Sequence, residues 1–219
     1  MNGEATVFRA SNSGRDDGIP GPPLLALRRR ARPQAIYGAG LWVFIGVATT
    51  LFSLFIMAYV MRMSGDDAVS IEMPRQLWLS TALLVLGSLL LHNASMAEAG
   101  GQNERTRTLL IAGGACAIAF IGVQGWAWLA LLSQQVTLTG NPSGSFFFLL
   151  TAMHALHVTG GLVAWMFVVG RFRRIPGDAG WRVALCARYW HFLLLVWLAL
   201  FACFTWITPD VARMICRTA

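Results

Sequence analysis

Histidine is the residue type of this chain best suited to chemistry, and each of the four histidines falls inside a long apolar stretch. They are His92, His154, His157 and His191. An imidazole in hydrocarbon is costly and normally faces the protein interior or a functional site. Its ring nitrogens can bind a metal or haem iron, or exchange hydrogen bonds with a neighbouring helix. These four residues are therefore the first candidates for function.

Two pairs of histidines could hold a metal. His92 and His191 are predicted to lie about 8 and 10 Å from the same ends of their spans, as two haem ligands on facing helices would. His154 and His157 share a helix face, but no acidic or thiolate residue at helical spacing completes that site. The alternative is that each imidazole hydrogen-bonds a neighbouring helix or subunit. We favour this packing role and predict no catalytic residue, cofactor ligand or metal ligand.

The segments that carry the histidines are predicted to be membrane-spanning helices. Hydrophobic residues make up 56% of the 219 residues and charged residues only 12%. A helix needs about 20 apolar residues to cross a hydrocarbon core of about 30 Å. Five segments reach this length: residues 39–61, 76–97, 108–133, 145–170 and 184–208. The predicted fold class is all-α, a polytopic membrane protein with five transmembrane helices.

Two tails are predicted to flank a membrane domain of residues 39–208. Residues 1–38 are predicted to form a disordered cytoplasmic tail, and residues 209–219 a short periplasmic tail. All 17 basic residues are arginines, and most lie in the N-terminal tail or near the connections after the second and fourth spans. The positive-inside rule then places the N-terminus in the cytoplasm and the C-terminus in the periplasm. The net charge of +7 follows from this topology, so we predict no nucleic-acid binding.

Other residues within the spans are predicted to pack helices together or to contact a partner subunit. Gln124 is a polar residue in the third span, and Gly161 allows two backbones to approach closely. Trp190 and Trp197 lie too deep to be interfacial anchors. The ten carboxylates lie outside the spans or at their edges, whereas ion-coupled carriers usually keep ionisable groups along their path. Transport by this chain alone is therefore not expected.

The motifs occur in an order that resembles subunit III of the haem-copper respiratory oxidases, which reduce oxygen with cytochrome c or quinol. The similarity extends from the first span to Trp206, and the family's most specific stretch is the one that the fourth span matches. Its motifs are Gly40 to Phe44 with Ala58 and Tyr59; Leu77 to Leu84 with Ser88 and His92; Gly122 and Gln124; Ser143 to Phe146 with Thr151, His154, His157, Val158 and Gly161; and Tyr189 to Phe192 with Val196 and Trp197. The chain resembles the five-helix form of the family.

This resemblance implies a non-catalytic subunit of a proton-translocating terminal oxidase in the bacterial inner membrane. Such a subunit stabilises subunit I, organises lipid, and supports proton uptake and turnover in aerobic respiration. Subunit I would be the main partner, with subunit II and other oxidase subunits nearby. Haem and copper would be held by those partners, and this chain would hold no cofactor except structural phospholipid. Arg171 stands where family members place an arginine that contacts phospholipid.

The chain also departs from the family at four positions that usually carry carboxylates. These positions are Ala48, Ala127, Ala184 and Leu194. Roles that depend on those acids are not expected here, and the chain is predicted to be a divergent member. Two alternatives stay open: a subunit-III-like accessory protein of a nitric oxide reductase, or a free-standing di-haem membrane cytochrome.

Overall fold

The computed structural model describes residues 23–65, 75–133, 142–174, 180–207 and 209–218. Within them the chain forms six α-helices: α1 Pro23–Met63, α2 Gln76–Ala99, α3 Asn103–Ser133, α4 Pro142–Arg174, α5 Gly180–Trp206 and α6 Pro209–Thr218. Helices α1 to α5 each contain a stretch long and apolar enough to cross a membrane. The prediction of an all-α protein with five membrane-spanning helices is thus confirmed. The cytoplasmic placement of the N-terminus stays a prediction.

Both ends of the chain contain more helix than the sequence patterns predicted. Helix α1 begins at Pro23, so residues 23–38 of the predicted disordered tail are helical, and residues 1–22 lie outside the described part. Residues 24–32 consist of Leu, Ala and Arg, which are strong helix formers. At the other end, Pro209 opens the ten-residue helix α6 where a tail was predicted. Proline suits the first helical position because its missing N–H would have no partner there.

Helices α2 to α5 form a ring in which each helix packs against two neighbours: α2 against α3 and α5, and α4 against α3 and α5. Helix α5 contributes the largest buried side chains of the core, Trp190 and Trp197. Helix α3 is joined to α4 by Trp165, whose Nε1 donates to the Leu110 carbonyl at 2.9 Å. A Cβ at Gly114 of α3 would overlap the Trp165 ring, so this contact requires glycine.

A tight turn joins α2 to α3 and defines one end of the bundle, called here the α2–α3 end. Gly101 adopts φ +71, which favours glycine, and its amide donates to the Glu98 carbonyl at 2.9 Å. The Glu98 carboxylate lies against Gly180, the first residue of α5, where a Cβ would come within 2.6 Å of Oε1. A negative charge is favourable beside the N-terminus of a helix. Glu98 therefore helps to position α5 against α2.

Helix α1 contacts the ring through aromatic side chains instead of close backbone packing. Of its most apolar window, 11% is buried, against 39% or more for α2, α4 and α5. Tyr59 meets Phe204 of α5 at a ring-centroid distance of 5.6 Å, and Phe52 meets His157 of α4 at 5.3 Å. The outer face of α1 is left exposed.

Candidate functional site

His92 of α2 and His191 of α5 lie side by side, which their predicted similar depth allows. His191 Nε2 is 3.3 Å from His92 Nδ1, and the ring centroids are 5.3 Å apart. On its other side, His191 Nδ1 is 2.6 Å from the hydroxyl of Ser88, one helical turn before His92. Both imidazoles are exposed, whereas Ser88 is buried. The three side chains form a hydrogen-bonded row that runs from the buried contact between α2 and α5 to the surface of the bundle.

This arrangement does not fit a haem held between His92 and His191. Haem ligation by two imidazoles places the porphyrin between the rings, with each ligating nitrogen directed at the iron. Here the two rings are in direct hydrogen-bond contact and leave no space for a porphyrin. The di-haem alternative would require α2 and α5 to separate, although their contact is part of the ring of helices.

His154 lies at the centre of the bundle, enclosed by aromatic rings from three other helices. Its ring centroid is 6.4 Å from that of Phe52 in α1, 5.7 Å from Phe120 in α3 and 5.2 Å from Trp197 in α5. The side chain is fully buried, and neither ring nitrogen has a hydrogen-bond partner among the described residues. The imidazole therefore acts in the packing as an aromatic ring.

His157 has different surroundings, so the two histidines of α4 do not form a common site. Its Nδ1 donates to the Met153 carbonyl at 2.7 Å, one turn earlier in the same helix. The His157 carbonyl accepts a hydrogen bond from the Tyr189 hydroxyl of α5 at 2.9 Å. Among the described residues, no cluster of three or more His, Cys, Asp or Glu side chains could hold a metal ion.

The other predicted packing residues lie in helix contacts of the core. Trp197 Nε1 donates to the Thr81 hydroxyl of α2 at 2.9 Å. Gln124 and Trp190 are buried, and neither the Gln124 amide nor the Trp190 Nε1 has a partner in the part of the chain that the structure describes. Gln124 follows Phe120 by one turn, which places it on the face of α3 that meets His154.

Gly161 of α4 lies against α5, and its neighbour Gly160 offers a matched control. A Cβ on Gly161 would come within 2.7 Å of Tyr189 and 3.0 Å of Trp190, whereas a Cβ on Gly160 would have nothing within 4 Å. We therefore expect Gly161→Ala to destabilise the protein by about 1–3 kcal/mol through overpacking. Gly160→Ala should change stability little. Thermal denaturation of both variants in detergent checks this, and equal effects would contradict the packing geometry.

An apolar cavity of about 720 Å³ opens between α1, α4 and α5 at the α2–α3 end. Its lining includes Tyr37, Phe167, Trp181 and Arg182. Tyr37 stacks on Trp181 at 5.5 Å, and the Arg182 guanidinium carbon lies 4.6 Å from the centroid of the Trp181 ring. Arg182 Nη1 is buried without a hydrogen-bond partner among the described residues. Because the Arg182 side chain lines this apolar cavity, its guanidinium is suited to an anionic group with an apolar chain.

Arg171 is exposed in the last turn of α4 and does not line this cavity. Arg182 is thus a second candidate arginine, which was not predicted from the sequence. A signal for it was present, because Trp181 and Arg182 stand together just before the predicted fifth span, where an aromatic ring and a cation usually meet the membrane interface.

Two of the four positions where the resemblance places family carboxylates are deep in the bundle. Ala48 is 2% exposed and Ala127 is fully buried, while Ala184 and Leu194 are half-buried. An ionised carboxylate at either buried position would need a paired charge or several hydrogen bonds. Ala48 and Ala127 are therefore compatible with their apolar surroundings.

Comparison with known proteins gives one consistent family. The family model described as cytochrome c oxidase subunit III matches residues 67–208. A probable cytochrome c oxidase subunit 3 of Mycobacterium leprae is 38% identical over 85 residues, which cover 37% of this chain and 42% of that protein. The cytochrome c oxidase subunit 3 of a Synechocystis species is 28% identical over 171 residues, covering 74% of this chain and 72% of that protein.

The chain matches less than half the length of the mycobacterial relative, but the family model covers the last four membrane-spanning helices. The predicted resemblance is confirmed by this match. The five apolar helices indicate a multi-pass membrane protein. The family match shows which one: the chain belongs to the cytochrome c oxidase subunit III family.

Proposed function

We propose that this chain is the non-catalytic subunit III of a haem-copper terminal oxidase in a bacterial inner membrane. In this role it stabilises subunit I, organises lipid, and supports proton uptake and turnover during aerobic respiration. Haem and copper are held by the partner subunits, with subunit II and others completing the complex. The observation that carries the proposal is the family match over residues 67–208. The proposal includes an N-terminus in the cytoplasm, based on the distribution of arginines.

The proposal is tested by affinity purification of a tagged chain in mild detergent, followed by optical spectra of the complex and of the separated subunits. We expect haem to co-purify with the chain and to leave with a larger partner. Haem that stays on this chain would contradict the proposal. A partner identified as the catalytic subunit of a nitric oxide reductase would establish the accessory-protein alternative instead. Removing the chain from an oxidase should give activity that decays during turnover.

The lipid-organising part of the proposal rests on the cavity between α1, α4 and α5. Its apolar walls suit an acyl chain, and Arg182 at the α2–α3 end suits a phosphate. Basic side chains at membrane ends commonly bind lipid headgroups. Arg171, exposed in the last turn of α4, is the arginine that the resemblance assigns to phospholipid. We propose that these two arginines hold anionic phospholipid at this end of the bundle.

Replacing Arg182 with glutamine is expected to remove about one anionic phospholipid per chain, since the phosphate loses a charge-assisted hydrogen bond. Arg171→Gln should remove lipid in the same way. The exposed Arg107 of α3 provides the control, and Arg107→Gln should retain the lipid. Native mass spectrometry of the purified variants counts the bound lipid. An unchanged count in both Arg171→Gln and Arg182→Gln would contradict the lipid assignment while leaving the oxidase proposal intact.

A further inference from the structure

Helix α6 lies at the end of the bundle opposite to the α2–α3 end. Helix α5 begins beside Glu98 and ends at Trp206, and two residues later Pro209 opens α6. The 27 residues of α5 extend about 40 Å, which equals the thickness of a bilayer with its headgroup regions. Trp206 is 76% exposed, and tryptophan at the end of a span is typical of the membrane interface. Helix α6 therefore begins in the headgroup region.

One face of α6 is apolar and exposed. Successive helical residues point about 100° apart, so Val211, Met214 and Ile215 fall on the same face. Val211 is 39% exposed and Met214 is 69% exposed. By contrast, Ala212 is fully buried in the hydrophobic core of the bundle. Helix α6 is thus held against the bundle on one side, and its apolar face points elsewhere.

A basic face of α6 completes an amphipathic pattern. Arg213 is exposed, and Arg217, one turn later, falls on the same face. Ala212 falls between the apolar and the basic face, so the bundle lies beside the helix and neither face is turned towards it. An amphipathic helix with arginines on its polar face lies in the plane of the membrane interface, with its apolar face at the boundary of the acyl chains.

The charge of this helix favours lipid over a second protein as what covers it. The end of the bundle that carries α6 is predicted to face the periplasm, where the positive-inside rule expects few basic residues. Four of the 17 arginines are nevertheless predicted to lie there, and two of them, Arg213 and Arg217, belong to α6. A helix at the height of the headgroups that offers apolar groups on one face and cations on another matches acyl chains and phosphates together.

We propose that α6 is an interfacial anchor: its apolar face inserts among the acyl chains around the end of α5, and Arg213 and Arg217 bind phosphates of anionic phospholipids. The anchor holds the depth of α5 in the membrane, because movement of α5 along the membrane normal would expose apolar side chains to water. This surface is separate from the cavity between α1, α4 and α5, which opens at the α2–α3 end. It also does not depend on which catalytic subunit the chain assembles with.

Photo-crosslinking tests the apolar face in the full-length chain, purified with its partners and placed in nanodiscs of phosphatidylethanolamine and phosphatidylglycerol. A photo-reactive residue at Met214 should crosslink to phospholipid. The same residue at Asn103 is the control for non-specific labelling, because Asn103 is exposed in the first turn of α3, before the predicted span. A crosslink from Met214 to a partner subunit or to a second copy of this chain would overturn the inference, as would lipid labelling no stronger than at Asn103.

Hydrogen exchange of the α6 amides tests the arginines. We expect exchange to be roughly tenfold slower in nanodiscs that contain phosphatidylglycerol than in nanodiscs of phosphatidylcholine alone, because each arginine is attracted to an anionic surface. The double variant Arg213→Gln, Arg217→Gln should lose most of this difference. Arg107→Gln, at the exposed start of α3, should keep it. Equal exchange of the wild-type chain in the two membranes would overturn the phosphate contact, as would a difference that the double variant retains.

Discussion

Replacing His154 with alanine is expected to lower the free energy of unfolding by about 3 kcal/mol, whereas replacement with leucine should cost little or even stabilise. Alanine leaves a cavity at a fully buried position, and the surrounding rings of Phe52, Phe120 and Trp197 can collapse only partly. Leucine fills most of that space. It also removes two ring nitrogens that have no hydrogen-bond partner among the described residues.

The difference between the two substitutions follows from how buried polar groups behave. A buried group without a hydrogen bond carries its full desolvation cost, so an apolar residue of similar size is neutral or favourable in its place. Within the membrane, helix association depends mainly on close packing and on hydrogen bonds between helices. His154 supplies the packing, as the rings around it show, and the loss of volume is therefore the dominant effect of alanine.

Thermal denaturation of the His154→Ala and His154→Leu variants in detergent measures the difference. Leu156, two residues further along α4 and 65% exposed, provides the control, because Leu156→Ala removes volume at the surface. If His154→Leu were as damaging as His154→Ala, the imidazole would have a polar partner. A buried water shared with the Gln124 amide is the candidate, since such waters bridge otherwise unsatisfied groups.

Apolar length was sufficient to predict the membrane-spanning helices, because each span must cross the same thickness of hydrocarbon. The same reasoning placed His92 and His191 at similar depth, and they lie in contact. Depth gives position along a helix axis but says nothing about rotation around it. The sequence therefore could not show that His92 and His191 reach the surface while His154 is enclosed at the centre.

Orientation around the helix axis also explains why the sequence could not distinguish the roles of neighbouring glycines. Gly160 and Gly161 look equivalent in the sequence, but successive helical residues point about 100° apart, and only Gly161 meets α5. Helix α6 is amphipathic, and it was missed because Pro209 was interpreted only as the end of the fifth span, although proline also suits the first position of a new helix. Arg182 was overlooked because its significance depends on a cavity formed by three helices, which no local pattern encodes.

The second large loss of stability is expected on replacement of Trp197, which is hydrogen-bonded to Thr81. Trp197 of α5 is 1% exposed and contacts the other three helices of the ring. Its ring lies 5.1 Å from Phe120 of α3 and 5.2 Å from His154 of α4, and its Nε1 donates to the Thr81 hydroxyl of α2. We expect Trp197→Ala to lower the free energy of unfolding by about 3–5 kcal/mol, because the core loses one of its two largest side chains. Trp197→Phe should cost much less, since it keeps an aromatic ring there.

The hydrogen bond predicts an asymmetry between its two partners. The Thr81 hydroxyl also donates to the Leu77 carbonyl at 2.8 Å, so it keeps one hydrogen bond in Trp197→Phe. Thr81→Val instead leaves the indole N–H buried and unpaired, which costs about 1–3 kcal/mol. In the double variant the N–H is absent, so the loss should be smaller than the sum of the two single losses.

Denaturation of the two single variants and the double variant in detergent checks this coupling. Thr159→Val is the matched control, because the exposed Thr159 hydroxyl donates to the Ala155 carbonyl of its own helix at 2.8 Å and has no other partner among the described residues. It should lose little stability, since it leaves no donor of another helix unpaired. Strict additivity of Trp197→Phe and Thr81→Val would mean that the indole and the hydroxyl do not interact. The link between α2 and α5 would then depend on the packing of apolar side chains alone.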